Sequence, residues 1–315
     1  MTDEVKTFDP FSNKPNISAT SRKLYLFNLM KLNGGKEIKN LKFLDKPDVL
    51  ERMNEMKPNT RRTYLISIVS ALKDRPEAKS KKLYSKYYEH LMALNKDLKD
   101  NTEKSEKVKE NWSSQDEVNE VLAKLKEIIP AIQNKKKINE DEYNKLLHLV
   151  VLSLYTLQAP RRNRDYTEMV IVRKEPESTD SNYLDQTDWK WIFNNFKTQK
   201  KYSKQTLDIP EALKEILQLY FKFHPKAKEL KAKKAPEAPI HFLVYHDGSP
   251  VATSTDMTRI LNKIFGKKIG CSLLRAIFLT DKYGKEASEL KADTLAMGTS
   301  VETAQNNYIK KDDSE

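Results

Sequence analysis

The stretch LLHLVVLSLYTLQAPRRNRDY, residues 146–166, decides the fold of this chain. Its apolar part, 146–159, is too short to span a bilayer and is typical of a helix buried in a protein core. The sequence predicts that this helix, over 144–159, ends in the segment LQAPRRNRDY. Arg161 and Arg162 then follow at the point where a hydrophobic element reaches the surface.

The composition predicts a mainly helical protein that binds a polyanion. The chain has 315 residues, enough for two domains, and only 7 of them are glycine. Lys, Glu, Leu and Ala, all good helix formers, are abundant. The net charge is +12, with basic residues spread along the whole sequence, which favours a polyanionic partner, most commonly a nucleic acid. A lysine-rich surface without a binding role is the alternative.

The first half of the chain predicts a helical bundle of about four helices over 19–99. Residues 1–18 are polar and contain proline, so we expect them to be flexible. The second long helix is predicted to begin at Asn59-Thr60, with Arg61 and Arg62 in its first turn as candidate phosphate contacts or as two solvated side chains. Apolar residues are spaced to pack on one side of two helices: Leu24, Leu26, Phe27, Met30 and Leu32 in the first, and Tyr64, Leu65, Ile68, Val69 and Leu72 in the second.

Residues 100–110 are almost wholly charged and predict a linker, which makes 111–315 a second domain. Helical patterns in this domain surround three short runs of β-branched and aromatic residues, at 167–172, 189–198 and 204–210. We therefore expect an α+β fold, mainly helical, with a small three-stranded antiparallel sheet.

The sequence offers no support for a metal site, a cofactor or a small-molecule substrate. Cys271 is the only cysteine, no Cys/His cluster has zinc-ligand spacing, and no glycine-rich phosphate loop occurs. The single cysteine and the lack of a signal peptide or membrane span lead us to expect an intracellular protein, in the cytoplasm or nucleus, wherever its target DNA lies.

Four residues of the second domain form a set suited to phosphoryl transfer. An arginine of the PRR segment and Arg275, which has apolar neighbours, are able to clamp phosphate oxygens. Lys197 lies at the predicted tip of a β-hairpin and is able to protonate a leaving alkoxide, while Tyr308, in a helix that starts at Val301, is able to attack phosphorus. Such a set needs no metal ion.

The order and spacing of these residues resemble the catalytic domain of tyrosine recombinases, the integrase family. The resemblance covers roughly 111–311 and rests on Arg162 followed by Asp165, the Lys197-Thr198 pair, the segment SLLR at 272–275 and the segment GTSVETAQNNY at 298–308. The segments KSEKVKENW and PRRNRDY also resemble integrases of large DNA viruses and virus-like mobile elements. By this resemblance the helical domain 19–99 is a core-binding domain, and the second domain has the DNA breaking-rejoining fold.

Two positions depart from the family pattern. The family's histidines align with Ser272 and Thr299, which are able to donate hydrogen bonds to a phosphate but not to shuttle a proton near neutral pH. Proton transfer is then expected to depend more on Lys197, and the enzyme to be slower.

Several of these residues have a simpler explanation. Tyr308 is one of 14 tyrosines, and Arg275 has Asp281 and Glu286 as possible ion-pair partners. Lys200, Lys201 or Lys204 are alternatives to Lys197 in its lysine-rich segment. Arg161 competes with Arg162 for the first clamp position, and the spacing to Asp165 favours Arg162. Arg161, Lys200 and Lys201 are then expected to contact DNA.

The resemblance implies a site-specific recombinase that cuts and rejoins double-stranded DNA through a 3′-phosphotyrosyl intermediate, as a homotetramer on two DNA sites. Two alternatives remain. One shares the chemistry, as a type IB topoisomerase or a telomere resolvase does. The other is a DNA-binding protein that has kept the fold and lost catalysis, for which the missing histidines argue.

Overall fold

The computed structural model describes residues 8–100, 106–232, 236 and 238–309. The chain divides into two compact units, residues 1–104 and 105–315. The predicted linker 100–110 includes residues 101–105, which lie outside the described part. Its remainder is helical, because Asp100 ends one helix and residues 106–111 form another.

The first unit is built from four α-helices around one hydrophobic core. They are α1 (Ala19–Leu32), α2 (Pro47–Asn54), α3 (Pro58–Leu72) and α4 (Ala78–Asp100), with a 3₁₀ turn at Lys42–Asp45. The α3 helix packs against both α1 and α4. All five apolar residues predicted to pack in α3 are buried.

Residues 8–18 are packed, although the sequence led us to expect a flexible segment over 1–18. Phe11 is buried in the core of the first unit, and its ring lies against that of Tyr25. The Asn13 side chain donates hydrogen bonds to the carbonyl oxygens of Ser70 and Lys73. The expectation is wrong here because one aromatic anchor and one amide outweigh the polar composition of the segment; residues 1–7 lie outside the described part.

The buried face of α1 differs from the predicted one. Asn28, Leu29 and Leu32 face the core, and Asn28 donates a hydrogen bond to the Ser67 hydroxyl at 3.0 Å. Leu24, Leu26, Phe27 and Met30 are exposed. The pattern misled because a buried asparagine with its partner takes the central place that we expected an apolar residue to hold.

The start of α3 also differs from the prediction. The helix begins at Pro58, after Lys57, and neither Asn59 nor Thr60 is its N-cap. Proline is well tolerated at the first helical position, where its missing N–H group would have no partner. Arg61 and Arg62 still lie near the positive end of the helix dipole.

The second unit is organised around one buried helix. Its first four helices are α5 (Glu106–Asn111), α6 (Gln115–Lys126), α7 (Ile128–Ile132) and α8 (Glu140–Thr156). Ser114 and Asn139 close capping boxes at the starts of α6 and α8. Residues 149–155 of α8 are all buried, which confirms the predicted buried helix. No helix in the described part of the chain has the length and apolarity needed to cross a membrane.

The sheet has five strands in mixed orientation, in the order β4-β3-β2-β1-β5. The strands are β1 (Val170–Val172), β2 (Tyr183–Asp185), β3 (Lys190–Phe193), β4 (Gln205–Asp208) and β5 (Ile240–His241). In register, Val170 pairs with Tyr183 in the parallel β1–β2 ladder, and Trp191 pairs with Leu207 in the antiparallel β3–β4 ladder.

The predicted three-stranded antiparallel sheet is therefore incomplete. Strands form within all three predicted runs, but β2 lies between β1 and β3 and runs parallel to β1. The missed strands β2 and β5 are three and two residues long. Strands this short carry no alternating pattern that a sequence reader is able to detect. The mainly helical α+β class is confirmed.

The remaining helices complete the second unit. They are α9 (Gln199–Tyr202), α10 (Glu211–Phe223), α11 (Ala227–Lys231), α12 (Ser254–Phe265), α13 (Cys271–Ala296) and α14 (Val301–Thr303), which a π-helical turn at Ala304–Tyr308 extends. Both α10 and α12 pack against α8, as does the beginning of α13. The buried helix therefore supports the beginning of α13, which carries Ser272 and Arg275 of the predicted site.

His224, which follows α10, is a buried histidine held neutral. Its Nδ1 accepts from the Lys226 backbone N–H, so Nε2 donates to the His241 carbonyl oxygen at 3.1 Å. Burial lowers the pKa of His224 to about 4. Protonation of this ring therefore lowers the free energy of unfolding.

Because the folded-state pKa of His224 is lowered, its contribution to stability is complete above pH 6.5 and is lost as the pH falls through about 4. We expect the free energy of unfolding of the wild type to fall by up to about 3 kcal/mol over this range, relative to His224→Gln. Urea titrations at a series of pH values measure the difference. Parallel pH profiles for the two proteins would contradict the assignment.

Candidate active site

Arg161 is held inside the second unit by its neighbours. Its Nε donates to Asp165 Oδ2 at 2.9 Å and its Nη1 to Gln205 Oε1 at 2.8 Å. The guanidinium lies 3.7 Å from the centre of the Phe193 ring and 5.2 Å from that of Phe196. Two of the five N–H groups of Arg161 are thus used within the protein, and its predicted contact with DNA stays a prediction.

Arg162 is left available by this arrangement. The spacing to Asp165 led us to favour Arg162, yet Asp165 pairs with Arg161, one turn away at i,i+4. Arg162 is half-buried and, within the described residues, its side chain has neither a hydrogen bond nor an ion pair. The ion pair therefore occupies the Arg161 side chain and leaves the Arg162 guanidinium available to an external anion.

Asn163 fixes the 3₁₀ turn (Asn163–Asp165) that follows Arg162. Its Oδ1 accepts from the Tyr155 hydroxyl of α8 at 2.6 Å. Its Nδ2 donates to the Ser254 carbonyl and to Thr258 Oγ1, both on α12. The sequence analysis missed this anchor, although an asparagine soon after a proline is a signal of side-chain turn chemistry.

We expect Asn163→Ala to lower the free energy of unfolding by about 1–3 kcal/mol, because it leaves the buried Tyr155 hydroxyl without its partner and removes both hydrogen bonds to α12. Urea denaturation measures this loss. Asn195→Ala is the matched control, since Asn195 lies nearby, is exposed and has no side-chain hydrogen bond within the described residues. Equal effects of the two substitutions would rule out the anchor role.

Asp165 is a buried carboxylate whose pKa responds to the charges of three arginines. Burial raises the pKa of its carboxyl, while the positive charges of Arg161, Arg162 and Arg275 act in the opposite direction. All three guanidinium groups therefore lie within electrostatic range of one buried carboxylate. Its Oδ1 has no partner in the described structure. The structure thus brings the two predicted clamp residues, Arg162 and Arg275, into one region.

Lys197 lies in the turn between β3 and α9, beside this region. The turn is anchored by Phe196, which is buried and lies over Arg161, and by Gln205, which accepts from Arg161 on the far side of the turn. The Lys197 side chain itself is exposed and, in the described part of the chain, has no ion-pair partner. Its ammonium group is therefore open to solvent.

The neighbouring lysines differ in their contacts. Lys204 forms an ion pair with Glu175, which makes it a weaker candidate for the proton donor. Lys200 and Lys201 are exposed on α9, and Lys201 lies 5.2 Å from the Tyr202 ring centre. These two therefore remain suited to contact with a phosphate backbone.

Ser272 and Arg275 share one side of α13, because residues three apart in a helix are neighbours. Ser272 is exposed in the first turn and Arg275 is half-buried, as its apolar neighbours predict. Arg275 forms no ion pair with Asp281 or Glu286, and the described residues give it no other carboxylate within ion-pair distance. Its charge is thus available to an external anion.

Thr299 and Tyr308 lie beyond the far end of α13. The Thr299 N–H donates to the Thr294 carbonyl at 2.9 Å, and Ser300 caps α14 by accepting from the Thr303 N–H. Tyr308 is 62% exposed, and its hydroxyl makes no hydrogen bond within the described residues. The structure does not bring these two residues together with the arginines.

Arg61 and Arg62 lie in the first unit, in the first turn of α3. Arg61 donates to Asn54 Oδ1 and Arg62 to Asn95 Oδ1, so each guanidinium has a neutral amide as its acceptor. Because no described carboxylate pairs with them, their positive charge stays uncompensated. This keeps both available for a phosphate.

The described residues contain no cluster of three His, Cys, Asp or Glu side chains able to hold a metal ion. In comparisons with known proteins, no family model, curated sequence or solved structure matches the chain.

Proposed function

We propose that the chain is a DNA strand transferase of the tyrosine recombinase type, serving the integration of a virus or mobile element. The observation that carries the proposal is the gathering of Arg162 and Arg275 near Asp165, with Lys197 in the adjoining turn. Neither arginine forms an ion pair with a described carboxylate, because Asp165 pairs with Arg161. Two free guanidinium groups and an ammonium group suit a phosphodiester.

In this proposal Arg162 and Arg275 hold the non-bridging oxygens of one DNA phosphate. Each donates hydrogen bonds that strengthen as negative charge develops on the pentavalent phosphorus. Ser272, one turn from Arg275, adds a hydroxyl donor on the same side. Thr299 is assigned the corresponding role of the second hydroxyl donor by its place in the sequence.

The bond changes follow from these groups. The Tyr308 oxygen attacks phosphorus and forms a P–O bond, while the bond from phosphorus to the 5′-oxygen breaks. The 5′-oxygen leaves with the electron pair and takes a proton from Lys197, and the phenol proton goes to solvent. Because the phosphotyrosine keeps the energy of the phosphodiester, another strand's 5′-hydroxyl reverses the step without ATP.

Contacts to the DNA backbone are assigned to exposed basic residues outside the reaction centre. Lys200 and Lys201 flank the turn that carries Lys197, and Arg61 and Arg62 supply a second positive surface in the helical unit. We propose that the two units bind one duplex together and that four protomers assemble on two sites. Neutralising phosphates in this way makes binding strongly salt-dependent.

The test is formation of a covalent DNA–protein product. A library of nicked duplexes is incubated with the protein and run on a denaturing gel. In each duplex the short cleaved fragment that bears the free 5′-hydroxyl diffuses away, which prevents resealing. We expect a labelled protein band, and peptide mapping is expected to place the DNA on Tyr308. If no band forms at any sequence while DNA binding is intact, the proposal is wrong.

That negative result would favour a DNA-binding protein without catalysis. The observation that favours this second candidate is the presence of Ser272 and Thr299, since neither side chain transfers protons near pH 7. A type IB topoisomerase or telomere resolvase would give the same covalent band as a recombinase. Joining of two separate duplexes would distinguish the recombinase from both.

A further inference from the structure

Asn182 lies at a meeting point of the second unit, just before β2, and is buried. Its Oδ1 accepts from the backbone N–H groups of Asn194 and Asn195 at 2.9 and 2.8 Å. Its Nδ2 donates to the carbonyl oxygen of Asp165 at 2.9 Å and to that of Asn195 at 3.0 Å. An asparagine side chain offers two acceptor lone pairs and two donors. Asn182 therefore uses its full hydrogen-bonding capacity within the protein.

These hydrogen bonds join the two turns that carry predicted reacting groups. Asp165 closes the 3₁₀ turn that follows Arg162. The other partners lie at the start of the turn between β3 and α9, which carries Lys197. All of the bonded partners are backbone groups, so the bonds fix the path of the chain in both turns. The Asn182 amide is thus a direct bridge from one turn to the other.

Arg161 forms a second link between the same two turns. Its guanidinium donates to the Asp165 carboxylate on its own side and to Gln205 at the start of β4. The segment that carries Lys197 runs from the end of β3 to the start of β4. It is therefore held near both of its ends, by Asn182 where it begins and by Arg161 where it finishes.

The Lys197 side chain is not held between these links. It is exposed and, in the described part of the chain, forms no ion pair. The short helix α9 that follows has no buried residue. A general acid must come within about 2.6–3.2 Å of the atom that it protonates. The distance from the Lys197 ammonium group to a phosphate at Arg162 thus depends on how the backbone of the turn is placed.

We propose that Asn182 is a positioning residue, which places the Lys197 turn against the Arg162 turn, and that Arg161 supports it. This inference rests on the proposed function. Asn182 itself does not touch DNA, because its side chain is buried and its hydrogen bonds all end within the protein. Its influence reaches the reaction through Lys197 and therefore acts on transfer of the proton to the leaving 5′-oxygen.

The test compares two leaving groups in single-turnover cleavage by Asn182→Ala. One nicked duplex has the natural 5′-oxygen, and the other has sulfur in its place and releases a thiolate, which needs no proton. On the oxygen duplex we expect a rate loss of about 10–10²-fold, as for a misplacement of about 1 Å. On the sulfur duplex we expect nearly the wild-type rate. A residue with a purely structural role would slow both.

A double variant supplies a second readout. If Asn182 acts through Lys197, Asn182→Ala combined with Lys197→Ala is expected to cleave the oxygen duplex no more slowly than Lys197→Ala alone. Independent roles would instead make the two rate losses multiply. This measurement separates positioning of Lys197 from any other effect of the substitution on cleavage.

Asn194→Ala is the matched control. Asn194 is also a buried asparagine at this turn, and its Nδ2 donates to the Ser181 carbonyl at 3.0 Å. Its substitution removes a buried hydrogen bond but leaves the bond from Asn182 to Asp165 in place. We expect this variant to be less stable to urea than the wild type, yet to cleave the oxygen duplex at nearly the wild-type rate.

The inference is overturned if Asn182→Ala cleaves the oxygen duplex as fast as the wild type, or slows both duplexes equally; the proposed function then stands. Absence of a covalent product from the wild type overturns both. If Asn182→Ala does not fold, Gln205→Ala takes its place, because Gln205 is only half-buried and its loss weakens the second link. A smaller rate loss is then expected, again confined to the oxygen duplex, and an equal loss on both duplexes contradicts the inference.

Discussion

Tyr308→Phe is expected to abolish covalent attachment of DNA, with a loss on the order of 10⁴-fold or more. The substitution removes only the hydroxyl oxygen that forms the new P–O bond, and no other group on the ring is able to replace it. The hydroxyl makes no hydrogen bond in the described structure and the ring is exposed, so we expect stability and DNA affinity to stay as in the wild type. Quantified band intensity on the nicked duplex measures the effect.

Tyr202→Phe is the matched control for this prediction. Tyr202 is also an exposed tyrosine of the second unit, at the end of α9 near Lys197. It is expected to attach DNA at the wild-type rate. If Tyr202→Phe removed the band and Tyr308→Phe did not, the nucleophile would have been assigned to the wrong residue.

Lys197→Ala is expected to slow strand cleavage by about 10²–10⁴-fold, the usual contribution of a general acid. The leaving 5′-alkoxide is a strong base and needs a proton as it departs. With Ser272 and Thr299 in the family's histidine positions, the described residues offer no imidazole for this task at either place. Single-turnover cleavage of the nicked duplex measures the rate of this step.

A change of leaving group separates acid catalysis from other roles of Lys197. A substrate with sulfur in place of the bridging 5′-oxygen releases a thiolate, whose conjugate acid has a pKa near 8.5, and needs no proton. We expect Lys197→Ala to cleave this substrate nearly as fast as the wild type does. A defect that persists with the sulfur substrate would show that the lysine binds or positions DNA instead.

Lys200→Ala and Lys201→Ala provide the comparison within the same segment. If these residues contact the DNA backbone, each substitution weakens DNA binding and reduces its salt dependence by about one counterion. The cleavage rate at saturating DNA should change little. A large rate loss in one of them, with Lys197→Ala active, would transfer the acid role to that lysine.

The sequence offered candidate residues for the site but not the contacts that these residues make. Arg162, Lys197 and Arg275 could be proposed because each stands in a recognisable local setting: after a buried helix, in a lysine-rich turn and among apolar residues. The pairing of Asp165 with Arg161 could not, since it depends on a turn held by Asn163 across to α12. Long-range hydrogen bonds of this kind leave no periodic trace in a sequence.

The same limit explains the errors in the fold. The buried helix α8 was predictable because ten of the fourteen residues at 146–159 are apolar, a pattern with few other interpretations. The strands β2 and β5 were missed because two or three residues carry no period. The packed face of α1 was misjudged because Asn28 is buried against Ser67, a contact from another helix. The position of Tyr308 was not predictable, because it follows from α13 continuing as one helix through Gly284. Glycine has a low helix propensity and is therefore expected to favour the end of a helix at this point.

The α13 helix is packed against the second unit at its beginning, through Leu274 and Ile277, while no residue from 278 to 293 is buried. A small tilt at the packed end therefore moves the opposite end by a large distance. The helix is about 39 Å long, so a tilt of about 10° at its packed end displaces the opposite end by about 7 Å. A misplacement of about 1 Å is enough to cost a reaction about 10²-fold in rate. In the proposed reaction the accuracy of attack by Tyr308 therefore depends on what holds this end of α13 in place when DNA is bound. Strand cleavage would then be limited by the ordering of this segment as well as by the chemical step.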